Sequence, residues 1–287
     1  MSKTRRGVVR APDGTEIAYR THGDGEPLVL VHGTGLSQVV WRGLGYVDAL
    51  AGHQVVTLDL RGHGRSGRPS SPSDYTAARF AADVVAVLDA LAVPRAHYLG
   101  YSLGARIGFT LLDVRPERIT SFVSLGGTHR STAGGPAEVF FPAFDEALRR
   151  GGMAGFVEGW ERHRGTPLDP QTALAFRAND PAAMRAILAA IEHEPGVPAA
   201  RLAHVTTPTL LLAGDRDRAR LDASHEAARV MSDARVVELE GHDHATTLSD
   251  REGVLGHVVP FLRAVTRGPG PVAADARNHR SEDLSET

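Results

Sequence analysis

Ser102 lies in a short stretch whose residue types could carry out nucleophilic catalysis. The segment from Gly100 to Gly104 reads G-Y-S-L-G, a G-x-S-x-G pattern between a predicted strand and a predicted helix. At such a strand-to-helix corner, a strained backbone pushes the serine hydroxyl into the open, and glycines prevent clashes with the passing strand and helix. The five residues alone also fit an ordinary turn of an α/β protein, so their meaning depends on partners elsewhere in the chain.

A carboxylate partner is available after a later strand. A serine hydroxyl becomes reactive when a histidine takes its proton, and an acid must orient that histidine. The apolar run 209–213 predicts a buried strand, and the segment G-D-R-D follows it directly at 214–217. Because catalytic groups of open α/β sheets gather at the carboxyl ends of strands, we expect this segment close to Ser102. Its two acids, Asp215 and Asp217, are alternatives.

A histidine partner follows the next predicted strand. The segment G-H-D-H at 241–244 comes after the strand pattern 235–239, so the order along the chain is serine, acid, histidine. This order and the shared sheet edge favour a catalytic triad over three unrelated turns. His242 and His244 are both candidates for the base.

An oxyanion hole needs backbone N–H groups directed at the charge that develops during acyl transfer. One is expected from Leu103, which follows the serine. The other is expected from Thr34, in the H-G-T-G segment 32–35 that ends the apolar run 28–31.

Strand and helix patterns alternate along most of the chain with short connections, which predicts an α/β fold with a mostly parallel, doubly wound sheet. This alternation of strands and helices ends after Gly127, and the following segment contains helical patterns and no convincing strand. We therefore predict a core formed by residues 1–128 and 202–267, with a small helical cap inserted at 129–201. Residues 268–287 have few apolar side chains, which predicts a disordered tail.

Composition excludes several functions. The 287 residues carry a formal net charge of −2 without a basic stripe, so nucleic acid is not an expected partner. Cysteine is absent, which excludes disulfides and thiolate chemistry. No signal peptide, membrane span or metal-ligand spacing is present, and no G-x-G-x-x-G phosphate loop follows the first strand, so we expect a cytoplasmic protein without a cofactor or metal. The expected partner is a small-molecule substrate, and the sequence does not indicate an oligomeric state.

Taken together, these motifs resemble the α/β-hydrolase fold superfamily, in its form with a helical cap. The similarity extends from about Val8 to Leu262 and is loosest in the insertion. The matching motifs are the oxyanion loop 32–35, the D-x-R-G-x-G-x-S loop 59–66, the nucleophile elbow 100–104 and the G-x-x-D turn 214–217. In this superfamily the D-x-R-G-x-G-x-S loop is structural.

The resemblance also implies which acid and which histidine act. The family's acid occupies the last position of G-x-x-D, which is Asp217 here. A Gly-His version of the family pattern gives His242, whereas a G-x-D-H version gives His244. The acidic helix start at 250–252 and the Phe-Leu pair at 261–262 have the family's spacing when counted from His244. The implied triad is Ser102, Asp217 and His244.

The leading functional hypothesis is a serine hydrolase that cleaves a small, largely apolar carboxylic ester or lactone. Aromatic and methionine side chains in the cap are expected to cover an apolar site, and Trp41 and Tyr101 flank the oxyanion loop and the serine as candidate substrate contacts. Two alternatives are C–C bond hydrolysis or cofactor-free, haloperoxidase-like perhydrolysis on the same triad. A third is a ligand-binding module on a hydrolase scaffold. A charged diketone acid would need a cationic anchor near Ser102, for which Arg106 is the nearest candidate.

Overall fold

A computed structural model describes residues 4–267, which form one eight-stranded sheet with helices on both faces. The predicted tail at 268–287 lies outside the described residues. The strands are β1 (Arg5–Arg10), β2 (Glu16–His22), β3 (Pro27–Val31), β4 (Gln54–Leu58), β5 (Ala96–Tyr101), β6 (Ile119–Leu125), β7 (Thr209–Gly214) and β8 (Ala234–Leu239).

The strand order is β1-β2-β4-β3-β5-β6-β7-β8. β1 and β2 form an antiparallel hairpin around Asp13-Gly14, β2 pairs antiparallel with β4, and all the other neighbouring strands are parallel. This topology confirms the predicted α/β class. It also brings the carboxyl ends of β3, β5, β7 and β8 to the same edge of the sheet, where the candidate site residues follow.

Twelve α-helices accompany the sheet within the described residues. They are α1 (Val39–Gly43), α2 (Tyr46–Ala49), α3 (Ala77–Ala90), α4 (Leu103–Val114), α5 (Gly135–Val139), α6 (Phe144–Arg164), α7 (Pro170–Arg177), α8 (Pro181–Glu192), α9 (Ala199–Leu202), α10 (Arg218–Val230), α11 (His244–Thr247) and α12 (Arg251–Arg267). α1 and α2 are separate helices because Gly45 between them has a left-handed φ of 79°. α6 is kinked at Gly152.

The central strands are apolar on both faces because helices cover both. Successive residues of β3 alternate between two hydrophobic clusters, with Val29 and Val31 in one and Leu28 and Leu30 in the other. The first cluster contains apolar side chains of α3 and α4, and the second contains those of α1, α2 and α12. The sheet therefore provides a rigid support for the loops at its carboxyl edge.

The segment between β6 and β7 contains helices α5 to α9 and no strand. Its aromatic side chains Phe140, Phe156, Trp160 and Phe176 pack against one another in a third hydrophobic cluster. The two ends of this helical insertion lie side by side, since the Val197 N–H donates to the His129 carbonyl at 2.7 Å.

The loop after β4 is held by buried polar contacts. The Asp59 carboxylate accepts hydrogen bonds from the Gln38 backbone N–H at 2.8 Å and from its side-chain amide at 2.9 Å. Arg61 forms ion pairs with buried Asp83 at 2.6 Å and with Asp13 at 2.7 Å. These contacts are consistent with a structural loop.

Among the helices of the described chain, none is both long and apolar enough to cross a membrane.

Candidate active site

Ser102 occupies a strained corner between β5 and α4. Its φ of 52° and ψ of −114° lie outside the ordinary regions for a non-glycine residue. A Cβ atom at Gly100 would overlap the backbone of Gly104, and one at Gly104 would overlap the carbonyl of Val31. Both glycines are therefore required sterically, and the corner has the geometry of a nucleophile elbow.

A continuous chain of hydrogen bonds connects Ser102, His244 and Asp217. The Ser102 Oγ lies 2.9 Å from the His244 Nε2, and the His244 Nδ1 lies 2.7 Å from the Asp217 Oδ2. A carboxylate can only accept, so the Nδ1–H of His244 donates to Asp217 and leaves Nε2 free to accept the serine proton. The three residues follow β5, β8 and β7, so the parallel topology brings them together.

Asp215 and His242 are close to the same loops but have other partners. The Asp215 Oδ1 accepts a hydrogen bond from the Gly241 N–H at 2.9 Å. The His242 Nε2 lies 3.4 Å from the Asp250 Oδ2. Neither side chain hydrogen-bonds to Ser102 or to its partners, so both contribute to the structure of the loops after β7 and β8.

Tyr101 contacts His244 through both its hydroxyl group and its ring. Its hydroxyl donates to the His244 carbonyl at 2.8 Å, and its ring stacks on the imidazole with a centroid distance of 5.6 Å. Burial raises the pKa of Tyr101, so the phenol remains a neutral donor. Tyr101 also lines the cavity above Ser102, as the sequence predicts.

The prediction that Trp41 contacts substrate is wrong in this structure. Its side chain is fully buried and does not line the cavity. The indole instead packs edge-on against Tyr46 at a centroid distance of 5.3 Å, on the side of α1 that faces the sheet. Proximity in sequence to the oxyanion loop does not determine which side of a short helix faces the cavity.

Arg220 is a neighbour of the site that sequence reasoning missed. Its Nη1 lies 3.9 Å from the Asp217 Oδ1 and 3.0 Å from Glu138 of α5. It therefore links the acid to the helical insertion. The available signal was its position three residues after Asp217, which brings the two side chains to the same face of the first turn of α10.

Two backbone N–H groups beside Ser102 are available to a ligand. Within residues 4–267, neither the Thr34 nor the Leu103 N–H has a hydrogen-bond partner in the protein. Leu103 is the first residue of α4, where N–H groups lack intrahelical acceptors and the helix dipole favours negative charge. Thr34 lies in the loop after β3, and both residues line the same cavity as Ser102.

Two buried histidines hold the Thr34 loop in place. The His32 Nε2 accepts the Leu60 N–H at 3.1 Å, so its Nδ1–H donates to the Gly33 carbonyl at 2.8 Å. The Gly33 carbonyl and the Thr34 N–H belong to one trans peptide and point in opposite directions, so this bond aims the Thr34 N–H away from His32. In the same way, the His63 Nε2 accepts the Gly35 N–H at 3.0 Å.

Both histidines must be neutral to accept these N–H groups. Burial lowers the pKa of His32, and burial lowers the pKa of His63 to about 3. At pH values between its folded pKa of about 3 and its ordinary pKa near 6.5, His63 is therefore protonated in the unfolded chain but neutral in the folded chain. Neutral His63 therefore contributes fully to the free energy of unfolding at pH values above about 6.5, and this contribution is lost as the pH falls toward the folded pKa.

We predict that His63→Gln, which does not titrate, reduces this acid sensitivity. Between about pH 7.5 and about pH 5, the wild-type free energy of unfolding should fall by about 2 kcal/mol more than that of the variant. Urea unfolding of both proteins at the two pH values measures the difference. Equal losses in both proteins would contradict a neutral, buried His63.

Ser102 opens into a cavity of about 1030 Å³ between the sheet edge and the helical insertion. Its apolar lining comes from the loop after β3, from α1 and from the insertion, and includes Val39 and Leu174, whose side chains are 55% and 71% exposed. Large apolar side chains that are exposed around a concave site are typical of ligand-binding surfaces.

Comparisons with known proteins agree with this geometry. The family model of the alpha/beta hydrolase fold matches residues 26–244. A protein of Azorhizobium caulinodans, provisionally named carbamate hydrolase RutD, is 31% identical over 80% of this chain and 88% of its own length. The rhodomycin D methylesterase DauP of Streptomyces sp. strain C5 is 31% identical over 88% of this chain and 97% of its own length.

Solved structures show the same similarity. The enol-lactonase of Burkholderia xenovorans LB400 superposes with a TM-score of 0.76 at 25% identity, over 91% of this chain and all of that chain. The family match covers most of the chain, including the elbow and both loops that supply the acid and the histidine. The protein therefore belongs to the α/β-hydrolase fold family and is a hydrolase of that fold.

Proposed function

We propose that the protein is a serine hydrolase that cleaves carboxylic esters or lactones through an acyl-enzyme. The observation that carries this proposal is the hydrogen-bonded series Ser102–His244–Asp217 at the floor of a cavity between the sheet edge and the helical insertion. His244 takes the proton of Ser102 as its oxygen attacks the substrate carbonyl, and Asp217 stabilises the imidazolium that forms. The N–H groups of Thr34 and Leu103 stabilise the oxyanion.

The second half of the reaction uses the same groups. His244 returns its proton to the departing alkoxide, which leaves an acyl group on the Ser102 oxygen. A water molecule, deprotonated by His244, then attacks the acyl carbonyl. His244 returns this proton to the departing Ser102 oxygen, which releases the carboxylic acid and regenerates the serine hydroxyl. The names of the enol-lactonase and the methylesterase support acyl transfer on this fold, and the carbamate hydrolase name adds carbamates to the acyl compounds worth testing.

The environment of Arg106 favours a neutral substrate over a charged diketone acid. Arg106 is only 5% exposed, and its guanidinium donates to the carbonyls of Arg130 at 2.6 Å and Glu194 at 3.2 Å. Burial lowers the pKa of Arg106 to about 10, so it is charged at neutral pH. Its Nη1 and Nη2 groups hold the two ends of the helical insertion together. Arg106 lines the cavity, but both of these groups are already occupied by backbone carbonyls, which disfavours a role as the anchor of a carboxylate.

The cavity exceeds what a very small ester fills. Its volume of about 1030 Å³ is at the upper end of the range for pockets that bind drug-sized ligands. We therefore infer that the apolar lining accommodates acyl groups of medium length as well as short ones. Each methylene that moves from water into such a lining contributes about 0.8 kcal/mol.

A substrate panel tests this proposal. We expect kcat/KM for p-nitrophenyl esters to rise by at least about tenfold from acetate to hexanoate, because buried methylenes add binding energy. Peptides and long-chain triglycerides should not be cleaved, since a cavity of about 1030 Å³ bounded by the helical insertion is not an extended groove for a long chain. Lactones, carbamates and an anionic diketone acid complete the panel. Cleavage of the diketone acid alone, with no ester or lactone turned over, would replace the ester proposal with C–C hydrolysis.

Two exposed apolar residues provide matched variants for the panel. Leu174→Ser removes an apolar side chain from the cavity lining, whereas Val114→Ser removes one that is 47% exposed and lies outside the cavity. We expect Leu174→Ser to reduce the preference for hexanoate over acetate and Val114→Ser to leave it unchanged. The same preference in both variants would show that the acyl group does not bind along α7.

A further inference from the structure

Gly35 is the third residue of a tight turn that contains Thr34. The turn is closed by the Leu36 N–H, which donates to the Gly33 carbonyl at 3.3 Å. Gly35 has a left-handed φ of 77°, a conformation that this position of a β-turn often requires and that glycine adopts most readily. The ring of Phe176, from α7, occupies the space that a Cβ atom at Gly35 would need. The helical insertion is therefore packed directly on the turn.

Three side chains hold three consecutive peptide groups of this turn. His32 binds the carbonyl of the first peptide and His63 binds the N–H of the second, both from the core. The third peptide is bound from the insertion, since the Asn179 amide donates to the Gly35 carbonyl at 2.8 Å. The two histidines thus contact the turn from the core, and Asn179 contacts it from the insertion.

We propose that Asn179 is a positioning residue through which the helical insertion holds the oxyanion loop in its active geometry. This proposal rests on the proposed function, in which the Thr34 N–H stabilises the oxyanion. Glycine has the largest backbone freedom of any residue, so a turn built on Gly35 keeps one geometry only when its peptides are held. The Leu36–Gly33 bond is long, and the Asn179 contact is shorter and includes a well-formed amide donor.

The consequence for the reaction is confined to the transition state. An oxyanion donor contributes little to binding of the neutral ester, because full charge on the carbonyl oxygen develops only as the tetrahedral intermediate forms. Complete loss of one donor typically lowers kcat by about 10² to 10³. Loss of Asn179 leaves the Thr34 N–H present but less well directed, so we expect a smaller decrease of about tenfold.

Asn179 also makes contacts within the insertion, and the test must distinguish their loss from the loss of the contact with Gly35. Its amide group lies 2.9 Å from the Ala175 carbonyl and 3.2 Å from the Phe176 carbonyl, so it helps to end α7. The neighbouring Asp180 provides a matched control, because its carboxylate caps α8 by accepting the Ala183 N–H at 2.8 Å. Asp180→Ala weakens the same helix junction without removing the contact with Gly35.

The experiment compares Asn179→Ala, Asn179→Asp and Asp180→Ala with the wild type. Active sites are titrated with a fluorophosphonate, and stopped-flow measurements with a p-nitrophenyl ester then give the acylation rate constant and the substrate dissociation constant for each active site. Affinity for a trifluoromethyl ketone, whose adduct carries an oxyanion, is compared with affinity for the product carboxylate. Melting temperatures report the structural effect of each substitution.

We expect both Asn179 variants to lose about tenfold in acylation rate and in trifluoromethyl ketone affinity, with the ester dissociation constant changed by less than about twofold. Asn179→Asp retains the shape of the side chain but replaces the donor with a carboxylate that repels the Gly35 carbonyl. Asp180→Ala should lower the melting temperature as Asn179→Ala does, yet keep the wild-type acylation rate.

Equal rate losses in Asp180→Ala and Asn179→Ala would overturn the proposal and assign Asn179 a structural role only. An unchanged acylation rate in Asn179→Asp would overturn it as well, and this isosteric variant decides the question if Asn179→Ala does not fold. Failure of the proposed function is recognised separately, because the wild type would then form no acyl-enzyme at Ser102 with any ester of the panel.

Discussion

Ser102→Ala is expected to lower kcat for ester hydrolysis by at least about a thousandfold, and by up to about a millionfold. The alanine side chain has no oxygen to attack the carbonyl, so the acyl-enzyme cannot form. The cavity and both oxyanion N–H groups remain, and they account for the residual rate that such variants retain over water. Initial rates with the best p-nitrophenyl ester of the panel, measured at saturating concentration, test the prediction.

Ser124→Ala is the matched control for this substitution. Ser124 lies on β6, the strand next to β5, and its buried hydroxyl has no hydrogen-bond partner within the described residues. We expect this variant to retain wild-type activity. A fluorophosphonate probe should label the wild type and Ser124→Ala, and peptide mapping should locate the label at residue 102. Labelling of Ser102→Ala to the same extent would show that the nucleophile is another residue.

His244→Ala is expected to produce a loss of similar size, at least about a thousandfold in kcat. Without the imidazole, no group in contact with the Ser102 hydroxyl takes its proton, and no group returns a proton to the departing alkoxide. KM should change little, because the neutral substrate gains most of its binding energy from the apolar lining. Steady-state kinetics and the fluorophosphonate labelling rate measure the two effects independently.

His242→Ala is the control for the choice of base. His242 lies two residues before His244 in the same loop, but its nearest ionic partner is Asp250 at 3.4 Å. We expect its removal to lower kcat by less than about tenfold, through disturbance of the loop and not through loss of proton transfer. A larger loss in His242→Ala than in His244→Ala would mean that the catalytic base has been assigned incorrectly.

Sequence patterns predict most of this fold because the hydrophobic pattern of a short segment indicates whether that segment forms a strand or a helix. Continuous apolar runs such as 28–31 and 209–213 indicate strands that are buried on both faces, and the structure contains a parallel strand at each of them. Helix boundaries are less well predicted where glycine interrupts them. Gly45 separates α1 from α2, because its left-handed φ ends one helical segment before the next begins.

The sequence by itself also determined that Ser102, one acid of 214–217 and one histidine of 241–244 lie at the same sheet edge. This follows from the position of each segment directly after a strand of one parallel sheet, which sends all carboxyl ends in one direction. Within each pair, however, the alternatives lie two residues apart in a loop, where no periodicity determines which side chain faces the serine. The structure places His244 against Ser102 and Asp217 against His244, and it directs Asp215 and His242 to other partners.

Only the tertiary structure decided the contacts between distant segments. Local pattern did not show that Trp41 faces the sheet, because a helix of five residues has too little periodicity to define a buried side. The hydrogen bond between Asn179 and Gly35 joins residues 144 positions apart in the sequence, and the one between His63 and Gly35 joins residues 28 positions apart. Such pairs are brought together by the packing of the insertion and of the β4 loop on the sheet, and single side chains in loops carry no signal of a partner that far away.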